Sequence, residues 1–401
     1  MIKIGIIREG KTPPDKRVPF SPEQAATLLQ KFNAEVWVQP SPIRSYSDQE
    51  YLDKGLTLSE DLSNADILFG VKEVKIEDLI PNKTYLFFSH TIKEQPYNRD
   101  LMKAMIEKKI TMIDYECLRD ANRNRIIGFG YFAGLVGAYN TLRAYGLRSK
   151  KFEIKKAIDC FDKAEMIGEV HRIKPLLSEV KVILTGAGRV GTGAVEIMNE
   201  AGLKEVSEAD FKNPANKGVF CLLNYDRFYF LPGSSEFDRA HFMANSHLYQ
   251  SRLGEFTHEA NIFISCHYWD GKSAPLFTLE DIKKADWKVE VIGDITCDIN
   301  GSIPTTIRPS SIADPIYGIN RNTGQEADSF ADDSITIMAV DNLPTELPRD
   351  ASAYFGEELL EKVVPLFIQD NEAQTLKRAT ILKNGVLTDE YAYLQNYAYG
   401  N

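Results

Sequence analysis

The amino-acid sequence predicts an α/β protein of two doubly wound domains, each a mostly parallel sheet with helices on both faces. Strand-like apolar runs alternate with helical patterns over the first 130 residues, and the alternation returns after Val180. This alternation is typical of parallel sheets covered on both faces. The length of 401 residues exceeds one ordinary hydrophobic core and fits two domains. We therefore expect two such domains with a cleft between them.

The first domain begins with a predicted buried strand over residues 2–7, followed by a loop and a well-marked helix. Ser21 is the expected N-cap, Pro22 occupies the first turn, and Gln24 stands three residues after the cap. This spacing predicts a capping box. Further strands are predicted at residues 36–38, 67–71, 85–88 and 110–113, with a helix at 98–108.

Chemically active side chains follow three consecutive strands of this domain. Lys72 and Glu73 come after the strand at 67–71, His90 after the strand at 85–88, and Glu116 just beyond the strand at 110–113. Each has an ordinary explanation when taken singly. Because ligands of open parallel sheets bind outside the carboxyl ends of the strands, the set together predicts a site.

The second domain opens with an apolar strand that runs directly into a G-x-G-x-x-G motif. Gly186 is expected to make the tight turn, Gly188 to let a pyrophosphate approach the backbone, and Gly191 to let the helix pack close to the strand. The motif predicts a Rossmann-like dinucleotide site, with the phosphates at the helix N-terminus. Glu208 and Asp210 fall in the zone where an acidic residue binds the ribose hydroxyls.

The remaining chain predicts further parts of this domain and a return to the first. Before the domain, residues 129–147 predict a helix rich in small residues that bridges the domains, and residues 150–179 a solvated helix and linker. Later strands are predicted at 218–223, 261–266, 288–292 and 334–340, and three of them are followed by His267, Asp294 and Asp341. Residues 211–259 are longer and more aromatic than a simple crossover needs, so we interpret them as an insertion.

The tail is predicted to cross back onto the first domain. An extended run at 342–348 precedes an amphipathic helix that Pro365 is expected to kink. The first domain is therefore discontinuous, comprising residues 1–130 plus 348–401, and the second comprises 131–347. The terminal tyrosines, of which Tyr391 is the first, are consistent with internal packing or with a subunit contact in a homo-oligomer.

Composition excludes several classes of protein. With 57 acidic and 47 basic side chains the net charge is −10, which argues against a nucleic-acid partner. We find neither a secretory signal nor an apolar run near the length of a membrane span. The 5 scattered cysteines are expected to be free thiols in a reducing cytoplasm. The spacings of His241, His247, His258, Cys266 and His267 match no zinc pattern, so no metal is predicted.

Several motifs resemble those of the alanine dehydrogenase and saccharopine dehydrogenase group, and the saccharopine-forming enzymes more closely. The resemblance covers nearly the whole chain. The motifs are Asp15–Pro22, Gly70–Glu73, Phe88–Pro96, Asp114–Glu116, Phe129–Gly134, Gly186–Gly191 and Val340–Ser352. The Ser-His-Thr-Ile-Lys and Asp-Asn-Leu-Pro motifs within them point away from plain alanine dehydrogenases. The long segment 211–259 departs from the compact, single-function lysine-forming enzymes. It looks more like the lysine-ketoglutarate reductase half of the bifunctional protein.

The resemblance implies an NAD(P)-dependent oxidoreductase that acts on the CH–NH bond of saccharopine, with an amino acid and a 2-oxo acid as small-molecule partners. It implies that Lys72 and His90 are the catalytic acid/base pair. It also implies that substrate binding and tuning involve Arg17, Glu73, Lys93, Glu116, Arg125 and Asp341. The expected cofactor-binding residues are Gly186, Gly188, Arg189, Val190, Gly191, Glu208, Asp210, His267 and Asp294.

The sequence leaves several points open. The choice between NAD and NADP depends on whether an acid such as Glu208 ends the second strand of the nucleotide domain. Reductive amination of a simpler 2-oxo acid, as in alanine dehydrogenases, is an alternative reaction. A nucleotide-binding module without catalysis is the alternative from another class, since a fold alone does not imply a function.

Overall fold

The computed structural model describes residues 2–368 and 374–400. The chain divides into two compact units, one formed by Met1–Phe129 with Pro348–Asn401 and the other by Gly130–Leu347. Each unit contains an eight-stranded sheet in which parallel pairs predominate, with helices between the strands. The predicted α/β class is therefore confirmed.

The N-terminal part of the first unit contains six strands and three helices, numbered along the chain. The strands are β1 (Ile2–Ile6), β2 (Ala34–Val38), β3 (Thr57–Leu58), β4 (Ile67–Phe69), β5 (Thr84–Phe87) and β6 (Thr111–Asp114). The helices are α1 (Pro22–Phe32), α2 (Asp48–Asp53) and α3 (Arg99–Glu107). The predicted capping box of α1 is confirmed, since Ser21 Oγ accepts the Gln24 N–H at 3.3 Å and Gln24 Oε1 accepts the Ser21 N–H at 3.0 Å.

The second unit contains seven helices and ten strands among its residues. The helices are α4 (Gly130–Ser149), α5 (Lys163–Ile173), α6 (Arg189–Glu200), α7 (Glu208–Lys212), α8 (Tyr225–Phe228), α9 (Arg239–Asn245) and α10 (Gly254–Thr257). The strands are β7 (Lys181–Thr185), β8 (Lys204–Glu205), β9 (Val219–Leu223), β10 (Tyr229–Phe230), β11 (Gln250–Ser251), β12 (Ile262–Ser265), β13 (Val291–Asp294), β14 (Ile316–Asn320), β15 (Glu326–Ala327) and β16 (Ser334–Met338).

The C-terminal part of the chain completes the first unit. Its described elements are α11 (Pro348–Lys362), α12 (Gln374–Ala379), β17 (Thr380–Lys383), β18 (Val386–Leu387) and α13 (Gln395–Tyr399). Phe355 and Leu359 of α11 are fully buried in the same apolar core as Ile4 and Ile6 of β1. The first sheet has the order β18-β17-β6-β5-β4-β1-β2-β3, and β17 pairs with β6 in antiparallel fashion.

The second sheet has the order β15-β14-β16-β13-β12-β7-β9-β8. The strands from β16 to β8 run parallel, and the strand β14, which the sequence did not predict, pairs antiparallel with β16. The aromatic insertion forms its own short hairpin of β10 and β11. Its rings pack into the core of this unit, where Phe228 and Phe256 are fully buried.

Helices α4 and α6 approach each other at glycines. An added Cβ at Gly134 of α4 lies 1.7 Å from the Val190 carbonyl oxygen, and one at Gly193 of α6 lies 2.0 Å from the Tyr131 carbonyl oxygen. The small residues predicted for the helix at 129–147 therefore serve a close backbone contact within the second unit.

Three predictions about segments need correction. Residues 150–179 are not a solvated linker, because α5 buries Met166, Val170 and Ile173. The run after Asp341 is not extended, since Leu343–Glu346 forms a 3-10 helix. Pro365 does not kink α11, which already ends at Lys362. Helical spacing and prolines located these segments along the chain. Which side chains of a segment become buried depends instead on the tertiary fold.

Candidate functional site

Side chains at the carboxyl edge of the first sheet form one polar cluster. The strands β1, β4, β5 and β6 are neighbours and run parallel, so their carboxyl ends lie along one edge. Glu73, after β4, is hydrogen-bonded to His90, after β5. His90 also lies close enough to Glu116, after β6, to lower the pKa of that carboxyl group.

His90 is held in a fixed orientation by Glu73. Its Nδ1 lies 2.6 Å from Glu73 Oε1, and its ring stacks on Phe88 at a centroid distance of 6.5 Å. Its backbone φ of 53° lies in the left-handed region, which costs a non-glycine residue free energy and is found at functional sites. Because Nδ1 faces the carboxylate, Nε2 is the ring nitrogen left for proton exchange.

Lys72 carries an amine that deprotonates more readily than an ordinary lysine. Burial foremost, and then the positive charges of Arg17 and Lys11, lower its pKa from 10.5 to about 8. Its Nζ makes no hydrogen bond or ion pair with residues 2–368 or 374–400. The half-buried amine is therefore near its titration point at neutral to mildly alkaline pH.

The Arg17 side chain is buried and paired with Asp15. It is only 2% exposed, and its Nε and Nη2 lie 3.0 and 2.6 Å from the two carboxylate oxygens of Asp15. The guanidinium carbon also lies 4.2 Å from the centre of the Phe129 ring. Burial opposes ionisation of Asp15, but the Arg17 charge outweighs it and lowers the pKa of Asp15. The predicted role of Arg17 in binding a substrate carboxylate stays a prediction.

Glu116 forms ion pairs with Lys93 and Arg125, the other two cations predicted to bind the substrate. Its Oε1 accepts a hydrogen bond from Arg125 Nη2 at 2.8 Å, and its Oε2 lies 3.5 Å from Lys93 Nζ. Burial raises the pKa of Glu116, but the charges of Arg125 and Lys93 outweigh it and the net shift is downward. The side chains of Lys93 and Arg125 are 48% and 39% exposed, so both can also reach a ligand.

Glu9 belongs to this cluster, although the sequence analysis did not identify it. Its two carboxylate oxygens accept the backbone N–H groups of Val71 and Lys72 at 2.7 and 2.8 Å. Burial, followed by the charge of Asp15, raises the pKa of Glu9 to about 8. Glu9 lies just beyond β1, so the strand-end argument applied to β1 as well as to β4 could have found it.

We expect Glu9→Gln to lower kcat/KM about tenfold, because an amide can accept only one of these two N–H bonds and leaves the other donor unsatisfied. The loop that carries Lys72 then loses part of its anchoring. Steady-state kinetics measure the change, and Glu60→Gln, on an exposed carboxylate paired with Arg8, is the matched control. Equal kcat/KM in both variants and the wild type contradicts the expectation.

The Glu73–His90 pair is expected to affect acid stability. Burial raises the pKa of Glu73, but the His90 hydrogen bond and other contacts outweigh it and lower the pKa from 4.5 to about 2. Because the folded pKa is the lower one, ionisation of Glu73 stabilises the fold above pH 4.5, and this contribution is lost as the pH falls toward 2.

Between pH 6 and pH 3, the wild type should therefore lose about 2 kcal/mol of unfolding free energy more than Glu73→Gln does. Urea denaturation at the two pH values measures this difference. Glu77→Gln, on the exposed part of the same loop, should lose as much as the wild type. An equal loss in Glu73→Gln and the wild type contradicts the expectation.

The glycine motif forms the expected strand-to-helix turn. Gly186 has a φ of 94°, and an added Cβ there lies 2.6 Å from the His267 backbone. A Cβ at Gly191 lies 1.9 Å from the Gly186 carbonyl oxygen, whereas one at Gly188 meets nothing within 4 Å. Gly188 is the N-cap of α6 and supplies no side-chain cap, so the first N–H groups of this 12-residue helix are available to an anion.

A cavity of about 590 Å³ adjoins this turn. Arg189 and Val190 line it together with the glycines, and the rest of the wall comes from residues after β9, β12 and β13 and from the aromatic insertion. This volume lies in the range of ligand and cofactor sites. The open space at Gly188 and the uncapped helix fit the pyrophosphate of a dinucleotide. The residues of the glycine motif are therefore those that would hold a dinucleotide cofactor.

His267 and Asp294 both organise the wall of the cavity. His267 lines the cavity but is 6% exposed, and burial lowers its pKa to about 4, so its ring is neutral. Asp294 is fully buried and accepts hydrogen bonds from the hydroxyl groups of Thr296 and Thr306 at 2.7 and 2.6 Å. Asp294 thus holds the loop after β13 rather than presenting its carboxylate to a ligand.

The remaining residues predicted to bind cofactor or substrate do not line the cavity. Glu208 and Asp210 stand on α7, after the outer strand β8, and do not line the cavity. Glu208 forms an ion pair with Arg227, and Asp210 accepts a hydrogen bond from Ser207 Oγ at 2.8 Å. Asp341 is exposed beyond β16. The sequence analysis did not identify Asn224, which follows β9 and lines the cavity.

The described residues contain no candidate metal site and no candidate membrane span. No group of three or more His, Cys, Asp or Glu side chains there could hold a metal ion. Among these residues, no helix has both the length and the apolar character that crossing a membrane requires. The 5 cysteines form no disulfide with one another.

The sheets and the glycine turn define the class as a two-domain α/β protein of Rossmann-like architecture. Residues 5–136 match the family model of the alanine dehydrogenase/PNT N-terminal domain, and residues 163–395 match that of the C-terminal domain. The chain therefore belongs to the alanine dehydrogenase/PNT family.

Curated relatives and solved structures agree with this assignment. The alpha-aminoadipic semialdehyde synthase of Arabidopsis thaliana is 30% identical over 438 residues, covering 98% of this chain and 41% of that protein. The Rattus norvegicus mitochondrial synthase is 27% identical, covering 95% and 46%. The chain thus spans less than half the length of these two proteins.

A second group of relatives matches over most of its length. The L-lysine-forming NAD(+) saccharopine dehydrogenase of Candida glabrata is 25% identical over 378 residues, covering 89% of this chain and 90% of that protein. A solved L-alanine dehydrogenase shares the fold with a TM-score of 0.65 and 17% identity, covering 98% of each chain. The chain is homologous to saccharopine dehydrogenases.

Proposed function

We propose that the protein is an NAD(P)-dependent oxidoreductase acting on the CH–NH bond of saccharopine, joining L-lysine to 2-oxoglutarate or catalysing the reverse reaction. The homology to proteins named as saccharopine dehydrogenases and as alpha-aminoadipic semialdehyde synthases supports this reaction. The motifs around Lys72, His90 and Asp341 agree with it, because they resemble those of the saccharopine-forming enzymes.

The observation that carries the proposal is the pairing of two basic groups at neighbouring strand ends. Lys72 has a pKa of about 8, and His90 is oriented by a carboxylate 2.6 Å away. An amine with a lowered pKa and an imidazole whose second ring nitrogen is open to proton exchange suit a reaction with several proton transfers. Such proton transfers are what the condensation of an amine with a ketone requires.

In the proposed reaction, the ε-amine of lysine loses a proton and bonds to the keto carbon of 2-oxoglutarate. The carbinolamine then loses its hydroxyl as water and becomes a protonated imine, whose nitrogen keeps its hydrogen. One member of the Lys72–His90 pair accepts the amine proton and the other donates a proton to the departing hydroxyl. A reduced nicotinamide, when bound, supplies the hydride that converts the imine carbon to the CH–NH product, and the oxidised nucleotide is released.

The cations of the cluster are proposed to bind the substrate carboxylates. Lys93 and Arg125 are partly exposed and share Glu116 as their partner. A substrate carboxylate would compete with Glu116 for these two side chains, and Arg125 can pair with a carboxylate through two parallel hydrogen bonds. This competition places the substrate beside the residue that also lies near His90.

A second candidate is the amination of a simpler 2-oxo acid such as pyruvate with ammonia. The family model bears the name alanine dehydrogenase, and the fold is shared with a solved L-alanine dehydrogenase. The same acid/base pair would serve this reaction, because it also proceeds through a carbinolamine and an imine.

A steady-state assay separates these reactions. NADH and NADPH are each crossed with lysine or ammonia and with 2-oxoglutarate or pyruvate, and nicotinamide absorbance is followed. We expect turnover with lysine and 2-oxoglutarate and little with ammonia and pyruvate. Activity only with the second pair supports the alanine dehydrogenase alternative, and no activity with any pair supports a nucleotide-binding module.

A further inference from the structure

The last residue of β6 is a buried carboxylate that the proposed reaction does not use. Asp114 is fully buried and pairs in the parallel ladder with Phe87, the last residue of β5. The loops that follow these two strands therefore both begin at this point of the sheet. The loop after β5 carries His90 and Lys93, and the loop after β6 carries Glu116.

The Asp114 carboxylate holds both loops through hydrogen bonds. Its Oδ2 accepts the Ser89 N–H at 2.9 Å and also the Ser89 hydroxyl. Its Oδ1 accepts the Glu116 N–H at 2.7 Å. Burial raises the pKa of Asp114, and these hydrogen bonds oppose that rise because they favour the ionised form. A single side chain thus fixes the residue before His90 and the backbone of Glu116.

Ser89 extends this constraint to the residue on the other side of His90. The Ser89 hydroxyl has one hydrogen, which it donates to Asp114, so its oxygen is left to accept. Ser89 Oγ accepts the Thr91 N–H at 3.3 Å and lies 2.8 Å from Thr91 Oγ1, which is then the donor. Ser89 and Thr91 are both fully buried. His90 is thereby held by both of its neighbours in sequence.

This anchoring explains how His90 keeps an unfavourable backbone conformation. Its φ of 53° lies in the left-handed region, which a non-glycine residue keeps only when the surrounding structure imposes it. The hydrogen bonds of Ser89 and Thr91 supply that constraint on the backbone, while Glu73 orients the ring at Nδ1. A change in this backbone would carry the ring away from Glu73 and leave its tautomer unfixed.

We propose that Asp114 is a positioning residue for the acid/base chemistry, acting on His90 through Ser89 and on Glu116 directly. The inference rests on the proposed function, in which His90 exchanges protons through Nε2 and Glu116 shares its cations with the substrate. Asp114 is too deeply buried to touch a substrate itself. Its effects therefore divide between kcat, through His90, and KM, through Glu116.

Two substitutions separate these effects in steady-state kinetics. Asp114→Asn can still accept from the two Ser89 donors through its amide oxygen, but its amide nitrogen cannot accept the Glu116 N–H. This variant should raise the KM for 2-oxoglutarate about tenfold and lower kcat less than about threefold. Ser89→Ala keeps the Glu116 bond and loses the link to Thr91, so it should lower kcat about tenfold and leave KM within about threefold. Asp66→Asn, on an exposed residue before β4, is the matched control with wild-type kinetics.

A His90→Gln background shows whether Ser89 acts through His90. There, Ser89→Ala should lower kcat by less than about threefold, because the group that it positions is already gone. An equal fall of kcat in both backgrounds shows a general structural role and overturns the inference. Wild-type values of kcat and KM in both Asp114→Asn and Ser89→Ala also overturn it.

The histidine ring gives a second readout, which needs no turnover. With nitrogen-15 in the histidines, NMR of the neutral ring should show the His90 proton on Nδ1, as the Glu73 contact requires. His90→Gln assigns the signal. Ser89→Ala and Asp114→Ala should each give a mixture of tautomers, and Ser89→Ala suffices if the other variant does not fold. An unchanged tautomer overturns the inference, whereas a changed tautomer in a protein without turnover refutes only the proposed function.

Discussion

Lys72→Met is expected to lower turnover by two to four orders of magnitude, about 10²- to 10⁴-fold, which is the usual contribution of a general acid or base. The amine is the group with a pKa lowered to about 8, and methionine cannot exchange a proton. Methionine keeps a stem of similar length, so the packing around residue 72 should survive. The formation of the imine should fail for lack of proton transfer rather than for lack of a folded protein.

The measurement is kcat with lysine and 2-oxoglutarate, together with a binding titration of the reduced nucleotide. Binding should be unchanged, because every residue of the nucleotide cavity lies between Ala133 and Asp298. Lys75→Met, on an exposed lysine three positions further along, is the matched control and should keep normal turnover. His90→Gln should be impaired to a similar degree, whereas near-normal turnover of Lys72→Met removes that residue from the mechanism.

The strand-end rule explains why the polar cluster of the first unit could be predicted from sequence. Lys72 and His90 each follow a run of buried apolar residues, and parallel strands with helical crossovers bring such ends to one edge. The same rule failed to identify Glu9 only because it was not applied to β1. Which carboxylate pairs with which base was not predictable, because Glu73 and His90 lie in two different loops whose backbone paths, including the left-handed φ of His90, do not follow from the strand pattern.

The strand order of the second unit shows where linear order misleads. Counting residues from the glycine motif led to Glu208 and Asp210, on the assumption that the second strand in sequence is the second in space. The short β8 instead lies at the sheet edge, and β9 takes the inner position. The residue types of the two strands agree with this order, because β9 (Val219–Leu223) is apolar and mostly buried, whereas β8 consists of two exposed charged residues, Lys204 and Glu205.

Buried charge is the other property that the sequence does not reveal. Arg17 was expected to meet a substrate carboxylate, yet its guanidinium is paired with Asp15, two positions earlier, and is 2% exposed. Asp294 was expected to face a nucleotide but is buried under threonine hydroxyls. Arginine and aspartate favour the surface unless they are paired. Whether a buried partner exists is a property of the folded chain.

Gly134→Ala is expected to destabilise the protein by about 3 kcal/mol, near the upper end of the usual cost of overpacking. The new methyl carbon would lie 1.7 Å from the Val190 carbonyl oxygen and 3.1 Å from the Ala194 nitrogen. These are backbone atoms of α6, so no flexible side chain can move aside and the two helices must separate. Their separation would also displace the first turn of α6, where the nucleotide phosphates are proposed to bind.

Gly168→Ala is the matched control, because Gly168 lies on the exposed face of α5 and an added Cβ there meets nothing within 4 Å. Alanine favours the helix over glycine, so this variant should be more stable than the wild type by about 0.5–1 kcal/mol. Urea denaturation of both variants measures opposite changes in the free energy of unfolding. If Gly134→Ala is as stable as Gly168→Ala, helix propensity alone decides both substitutions, and the close contact between α4 and α6 does not constrain the fold.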